Sequence, residues 1–306
     1  MMKVAFSARG LNAYPHVWGG HASEETVRRV LGWARAVGFD GFEVEDSWVD
    51  FYHYNDGQIR EFRSILDGVG MPTAAFKTGG RSLCHPSVRD ENLKKMLRAV
   101  EIAALLETDI ISISLPAPLS LYGVSSEPYC GMKISYGASR DAPDRDFQTT
   151  ADSLTMIADK AADEDISIAI EVHQNSVADN STATLRLVEM AGRDNIGINP
   201  DLGNIYWTYE EPEEPWQEAI QRLAARSIWW HCKNLRRVHV GEVGRSIFLR
   251  CPLPDGDIDY RFAIEAMHKA GYQGYILLEG ADAGDQFEWA RRGLDYVRSV
   301  LATLEP

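Results

Sequence analysis

Residues 166–175 read ISIAIEVHQN. Five of the first seven are apolar, and a run of that length reads as a strand buried on both faces. It closes on Glu171 and His173, which period-two geometry places on one side of the strand. A carboxylate and an imidazole at the end of a core strand need a partner, because an uncompensated buried charge is costly.

The same pattern recurs outward in both directions. Short apolar, β-branched runs lie at 3–8, 40–45, 72–77, 109–115, 166–172, 196–201, 228–233 and 274–279. Amphipathic segments with helical spacing separate them, such as 23–38 and 92–107, and a last one follows at 285–304. Gly38 and Gly271 stand where helices stop in the left-handed conformation. Eight strand–helix units without a linker or a composition break predict a single (β/α)8 TIM barrel over 1–306, an α/β fold. A doubly wound open sheet is the competing architecture, and the absence of GxGxxG after the first strand weighs against it. Two connections exceed the usual length: 116–147 after strand four and 234–257 after strand seven. Both fall on the C-terminal face, where long insertions act as lids or docking surfaces. Tyr122, Tyr129 and Tyr136 suit packing of the first.

Composition removes several function classes. The chain carries 31 Lys and Arg against 45 Asp and Glu, a net charge of −14, opposite to the basic footprint that nucleic acid requires. No nucleic-acid or membrane partner is expected. The N-terminus lacks a signal-peptide core, and no run approaches a membrane span. Cys84, Cys130, Cys232 and Cys251 form no CxxC pair, so a reduced cytoplasmic protein is expected. Neither a P-loop nor a G-x-S-x-G elbow occurs.

The later strands share their ending. Glu171 closes the fifth, Asp201 the sixth (INPDLGN), His231 the seventh (WWHCKN) and Glu279 the eighth (YILLEG). Three carboxylates at a barrel mouth repel one another, and a divalent cation is the simplest way to keep them ionised together. For each residue alone, a salt bridge or helix cap is the plain alternative; four on successive strands favour metal ligation. Three carboxylates and one imidazole make a hard donor set. It suits Mn²⁺ first, with Mg²⁺, Co²⁺ or Zn²⁺ as alternatives.

The series IAIEVHQN, INPDLGN, WWHCKN and GYILLEG, with the tail PDGDIDYRFAIEAMHKAGYQGYILLEG, resembles the xylose isomerase-like TIM barrels, the sugar phosphate isomerase/epimerase group. The resemblance implies that Glu171, Asp201, His231 and Glu279 bind one divalent metal and that Glu171 and Glu279 form the acid/base pair. Two departures stand out: Asn204 occupies the place of a common histidine, leaving at most a neutral amide contact, and Asn234 replaces the acid of H-x-K-D. Lys233 is the lysine of that motif.

Such a site suits proton abstraction beside a carbonyl of a sugar or keto-sugar, through a metal-stabilised enediolate. Two opposed bases give epimerisation, and one base on a single face gives isomerisation. His173 lies too far along to replace Glu171 as ligand; it faces substrate as a general acid/base or anchors the loop. Lys77 reaches a substrate oxygen or phosphate, or is solvated. Arg236 and Trp48 are further substrate-binding candidates, while His53, His85, Arg237, His239 and Trp18 share the mouth-side loops.

Other readings remain open beside the isomerase. One is a lyase cleaving 3-oxo-glycosides by elimination, as in C-glycoside deglycosidases, or a keto-inositol dehydratase. Another is a non-catalytic sugar-binding barrel. A related DNA-repair endonuclease is disfavoured by the charge. A homo-oligomer is expected, with a small partner subunit in the deglycosidase-like case.

Overall fold

The computed structural model describes residues 1–7, 23–46, 49–116, 126–129, 132–135, 139–208, 212–280 and 284–304. Trp48, Trp18, Tyr122 and Tyr136 lie outside the described residues.

Eight parallel strands form one sheet: β1 (Lys3–Ser7), β2 (Gly41–Glu45), β3 (Thr73–Lys77), β4 (Ile110–Ile113), β7 (Ser167–Glu171), β8 (Ile196–Asn199), β9 (His231–Cys232) and β12 (Tyr275–Leu278). Their spatial order is β8-β7-β4-β3-β2-β1-β12-β9, so each neighbour but the last pair is joined by a strand ladder. The final seam between β8 and β9 closes differently. Ile228 N donates to Ile198 O at 3.0 Å, and His231 N donates to the Asn199 side-chain oxygen at 2.7 Å.

Eight helices alternate with these strands: α1 (Glu24–Val37), α2 (Asp56–Val69), α3 (Arg89–Leu105), α4 (Asp144–Ala162), α5 (Ser181–Ala191), α7 (Trp216–Leu223), α8 (Tyr260–Lys269) and α9 (Gln286–Leu301). A short α6 (Leu202–Tyr206) lies between α5 and α7. The chain is a (β/α)8 TIM barrel, as the alternation predicts. Capping chemistry explains the helix bounds. Ser23 accepts from Thr26 N at the start of α1, and Gly38 ends it at φ 106°, in the left-handed region.

Two apolar layers divide the core. Most buried side chains lie between sheet and helices. Inside the barrel, Ala5, Ala75, Ala169 and Leu277 surround Trp229. Small residues from several strands leave room for one indole, so the interior is filled and the polar groups are confined to the layer above.

The sequence reading needs three corrections. The sixth barrel strand, β8, stops at Asn199, so Asp201 does not end a strand; it caps α6, accepting from Asn204 N at 3.1 Å. The expected strand 228–233 is ordered as a strand only at His231–Cys232; before it, the chain meets β8 through one isolated bridge, Ser227 with Ile198, and Ile228 N and Trp229 N both donate to Ile198 O. The expected loop 234–257 is instead largely an antiparallel ribbon, β10 (Asn234–Val240) with β11 (Arg245–Cys251). Its strands alternate in polarity around a turn that holds Gly244 at φ 61°. In 116–147 the described residues form a second hairpin, β5 (Ser126–Tyr129) with β6 (Met132–Ser135), before α4 begins at Asp144. No described helix is long and apolar enough to cross a membrane.

Near the start of α5, Asp179 accepts from Ser139 N at 2.9 Å. Burial raises its pKa to about 6 against the Ser139 hydrogen bonds, and Glu213 adds to the rise. An acid raised on folding stabilises the folded chain below its ordinary 3.8, and that contribution disappears as pH climbs through about 6. Asp179→Asn should therefore gain about 2 kcal/mol relative to the parent between pH 4 and 7, at 1.36 kcal/mol per pKa unit. Urea denaturation at the two pH values measures it; a pH-independent difference refutes it.

Candidate metal centre

Four of the sequence-selected residues converge. Glu171 is the last residue of β7, Asp201 caps α6, His231 opens β9, and Glu279 follows β12. One donor atom from each lies within 4.8 Å of all the others. His231 Nδ1 is 3.2 Å from Glu171 Oε1 and 3.2 Å from Glu279 Oε1. All four side chains are almost completely buried.

A carboxylate that the sequence reading missed holds the imidazole from behind. His231 Nε2 lies 2.8 Å from Glu43 Oε1, and Trp229 Nε1 donates to the same oxygen at 2.8 Å. Glu43 sits on β2 at an irregularity in the pairing with β3, between Phe42 and Glu43. Its Oε2 is buried without a hydrogen-bond partner. Fixing Nε2 aims Nδ1 at Glu171 and Glu279, the arrangement by which outer carboxylates orient a ligating histidine. The signal was present in the sequence: GFEVE, 41–45, carries two glutamates at period two in a buried strand, as IEVH does. Glu43→Gln should weaken divalent-cation binding by roughly 10–100-fold. Calorimetric titration reads this; unchanged affinity would remove Glu43 from the site.

Lysines neutralise the cluster. Lys77 pairs with Glu171 Oε2, while Lys233 Nζ lies 2.5 Å from Asp201 Oδ2 and 2.8 Å from Glu279 Oε2. Arg250, on β11, reaches Glu279 Oε2 at 3.4 Å and lies over the Trp207 ring. Asn204 donates to Glu171 Oε1 at 3.2 Å and to Val172 O at 3.1 Å, so the amide in the histidine's place steadies Glu171.

The electrostatics follow from this placement. Burial disfavours ionised Glu171, yet Lys77 and His231 outweigh it and hold the carboxyl well below the usual range. Burial pushes Asp201 up to about 6, with Lys233 opposing and Glu279 and Glu171 adding. Burial likewise opposes a charged His231, but Glu43 and Glu171 carry it well above its ordinary value. The cluster thus draws positive charge into its centre from protons and ammonium groups. The residues fit a divalent cation: three carboxylates and an oriented imidazole nitrogen surround one point, away from water.

His173 lies just beyond β7 and is half-buried. Its N–H donates to Ala178 O at 2.9 Å, and its Nδ1 is 2.9 Å from Gln174 O, so Nδ1 carries a proton. It is close enough for its charge to lower the Glu171 pKa. Arg236 is not brought into the cluster; it is exposed, with Nε donating to Asp255 O at 2.8 Å. Arg237 and His239 lie on the opposite face of β10. His53 is exposed beside Asp50, and His85 Nδ1 accepts from Ser87 N.

A family model described as xylose isomerase-like TIM barrel matches residues 31–300. The putative L-ribulose-5-phosphate 3-epimerase SgbU of Escherichia coli K12 is 23% identical over 271 residues, covering 84% of this chain and 86% of that protein. A xylose isomerase-like TIM barrel protein from Mycobacterium smegmatis, solved with magnesium, superposes with a TM-score of 0.78 at 19% identity, covering 99% of this chain and 97% of that one. The 3-keto-D-glucoside 4-epimerase YcjR of E. coli superposes with a TM-score of 0.69 at 16% identity, covering 98% and 100%.

Proposed function

The chain belongs to the xylose isomerase-like TIM barrel family, and on that premise we propose that it is a divalent-metal-dependent isomerase or epimerase of a sugar or keto-sugar. The observation that carries this reading is the convergence of Glu171, Asp201, His231 and Glu279 donors within 4.8 Å. These four residues would hold the cation, with Mn²⁺ the first expectation. When bound, the cation supplies positive charge to the oxygen that becomes anionic as the neighbouring carbon loses its proton.

The chain's own groups do the rest. Glu171 is held ionised and steadied by Asn204, which suits it to accept a proton at carboxylate oxygen. Glu279, anchored by Lys233 and Arg250, is the partner that returns a proton from the other side. Burial of the cluster keeps bulk water from quenching the carbanion. Lys77 and Lys233 serve as substrate contacts once the cation takes over the neutralisation of their carboxylates. The free thiols Cys84, Cys232 and Cys251 fit a reducing, cytoplasmic setting.

The names of the similar proteins set the first panel: ribulose 5-phosphates, free ketoses and 3-keto-glucosides. Metal-loaded protein in D₂O should place deuterium at one carbon of a panel member, read by NMR. A panel with neither exchange nor product overturns the reading.

His173 supports a second reading, elimination from a 3-oxo-glycoside. Two residues beyond Glu171, its backbone N–H is pinned to Ala178 O, and its charge is near enough to lower the Glu171 pKa. A ring there can protonate a group leaving from the carbon next to the deprotonated one. Release of an aglycone from a 3-oxo-glycoside, lost in His173→Ala with isotope exchange retained, would establish it.

A further inference from the structure

The four converging residues stand on one half of the barrel. They come from β7, β9 and the segments just after β8 and β12, which are neighbours once the β8–β9 seam closes. The other half, β1 to β4, brings a second set of polar side chains to the interior. Register shows this: Ser7 pairs with Glu43, and Glu45 pairs with Lys77. Residues paired across two strands point to the same face of the sheet. Glu43 meets His231 and Trp229 inside the barrel, and Lys77 meets Glu171 there. Ser7 and Glu45 therefore point inward as well, and Ser7 Oγ donates to Glu45 Oε1 at 3.0 Å. Both are buried, Glu45 being 8% exposed and Ser7 1%. Glu45 lies two residues beyond Glu43, about 6.6 Å closer to the mouth along β2. It is a carboxylate one layer above the imidazole that Glu43 holds, and it is not one of the four that converge.

We propose that Glu45, with Ser7 and Lys77 beside it, holds the hydroxyl-bearing end of an unphosphorylated sugar or keto-sugar. This subsite rests on the isomerase reading of the metal centre and names its substrate class. A sugar whose reacting carbons lie between Glu171 and Glu279 extends its remaining carbons across the mouth, toward β1–β3. A carboxylate on that side accepts from neighbouring hydroxyls, and such charge-assisted hydrogen bonds are the strong ones. Lys77, level with Glu45 in the register, supplies donors. Charge decides against a phosphorylated end. Glu45 is negative, Ser7 is neutral, and Lys77 offsets one charge at most, whether it stays with Glu171 or turns to the substrate. The subsite is thus never positive. A phosphate dianion beside Glu45 meets a like charge in a place shielded from water, where repulsion is far stronger than in solvent. Hydroxyls meet no such penalty, so one carboxylate selects by attraction and by repulsion together.

Steady-state turnover and saturation-transfer NMR on the full, metal-loaded chain test this, with free ketoses, 3-keto-glucosides and ribulose 5-phosphates as probes. The parent should bind and convert a neutral probe and leave the phosphates untouched. Glu45→Gln should raise KM for that probe roughly 10–100-fold, the worth of one or two charge-assisted hydrogen bonds, with kcat within about threefold. Cation affinity and circular dichroism should match the parent, which a general loss of structure would not allow. Binding of the phosphates should improve in the same variant, since the repulsion is gone. Should Glu45→Gln fail to fold, Glu45→Asp carries the same KM comparison. A parent that prefers a phosphorylated probe overturns the proposal, and so does an unchanged KM in the Glu45 variant. If no probe binds or exchanges, the isomerase reading itself falls and this subsite falls with it.

Discussion

Glu171→Gln is expected to lower turnover by about 10²–10⁴-fold, the usual worth of a positioned general base, and to weaken cation binding as well. The same change strands the Lys77 ammonium, which is buried against Glu171. Breaking one partner of a buried pair costs about 3–5 kcal/mol, so the variant should also unfold at lower urea. Lys77→Met in the same chain separates the two effects. It removes the stranded charge and should recover most of the stability while turnover stays lost. Turnover within tenfold of the parent in Glu171→Gln would take Glu171 out of the chemistry.

Lys233→Met should show a stability loss that depends on the cation. Without metal, Asp201 and Glu279 lose the ammonium that lies between them, 2.5 and 2.8 Å away. The expected cost is about 3–5 kcal/mol. With saturating Mn²⁺ the gap should close, because a divalent ion supplies the missing charge and binds only the folded chain. Urea melts with chelator and with Mn²⁺ give the comparison. An equal gap in both conditions would mean that Lys233 and the cation do not share those carboxylates.

Alternation made the barrel legible: all eight predicted strands overlap observed ones, because a two-face-buried strand is a simple apolar run. The convergence of Glu171, Asp201, His231 and Glu279 was legible for the same reason, since charged residues stand out at the ends of such runs. Asp201 was harder, because its segment leaves the sheet at Asn199 and the carboxylate is placed by a helix cap. Glu43 was hidden by distance: 188 positions separate it from His231, and only closure of the barrel brings them together. Arg250 was hidden by an error of element type, because 234–257 was read as irregular when its period-two pattern was a ribbon. Lys77 and Lys233 were visible as residues, but their role as counter-charges depends on side-chain reach across the barrel, which no spacing encodes.

Trp229 links the barrel's filled interior to its polar layer through one hydrogen bond to Glu43, and its ring lies 6.4 Å from that of His231. A protonated imidazole at that range drains excited-state energy from an indole, whereas a metal-ligated neutral one does so far less. A diamagnetic cation such as Mg²⁺ that displaces the proton from His231 is therefore expected to brighten this tryptophan, and an unchanged emission would separate His231 from cation binding. The chain has eight tryptophans, so the difference spectrum against Trp229→Phe isolates the one that matters. That difference spectrum would report occupancy of the centre before any substrate is known.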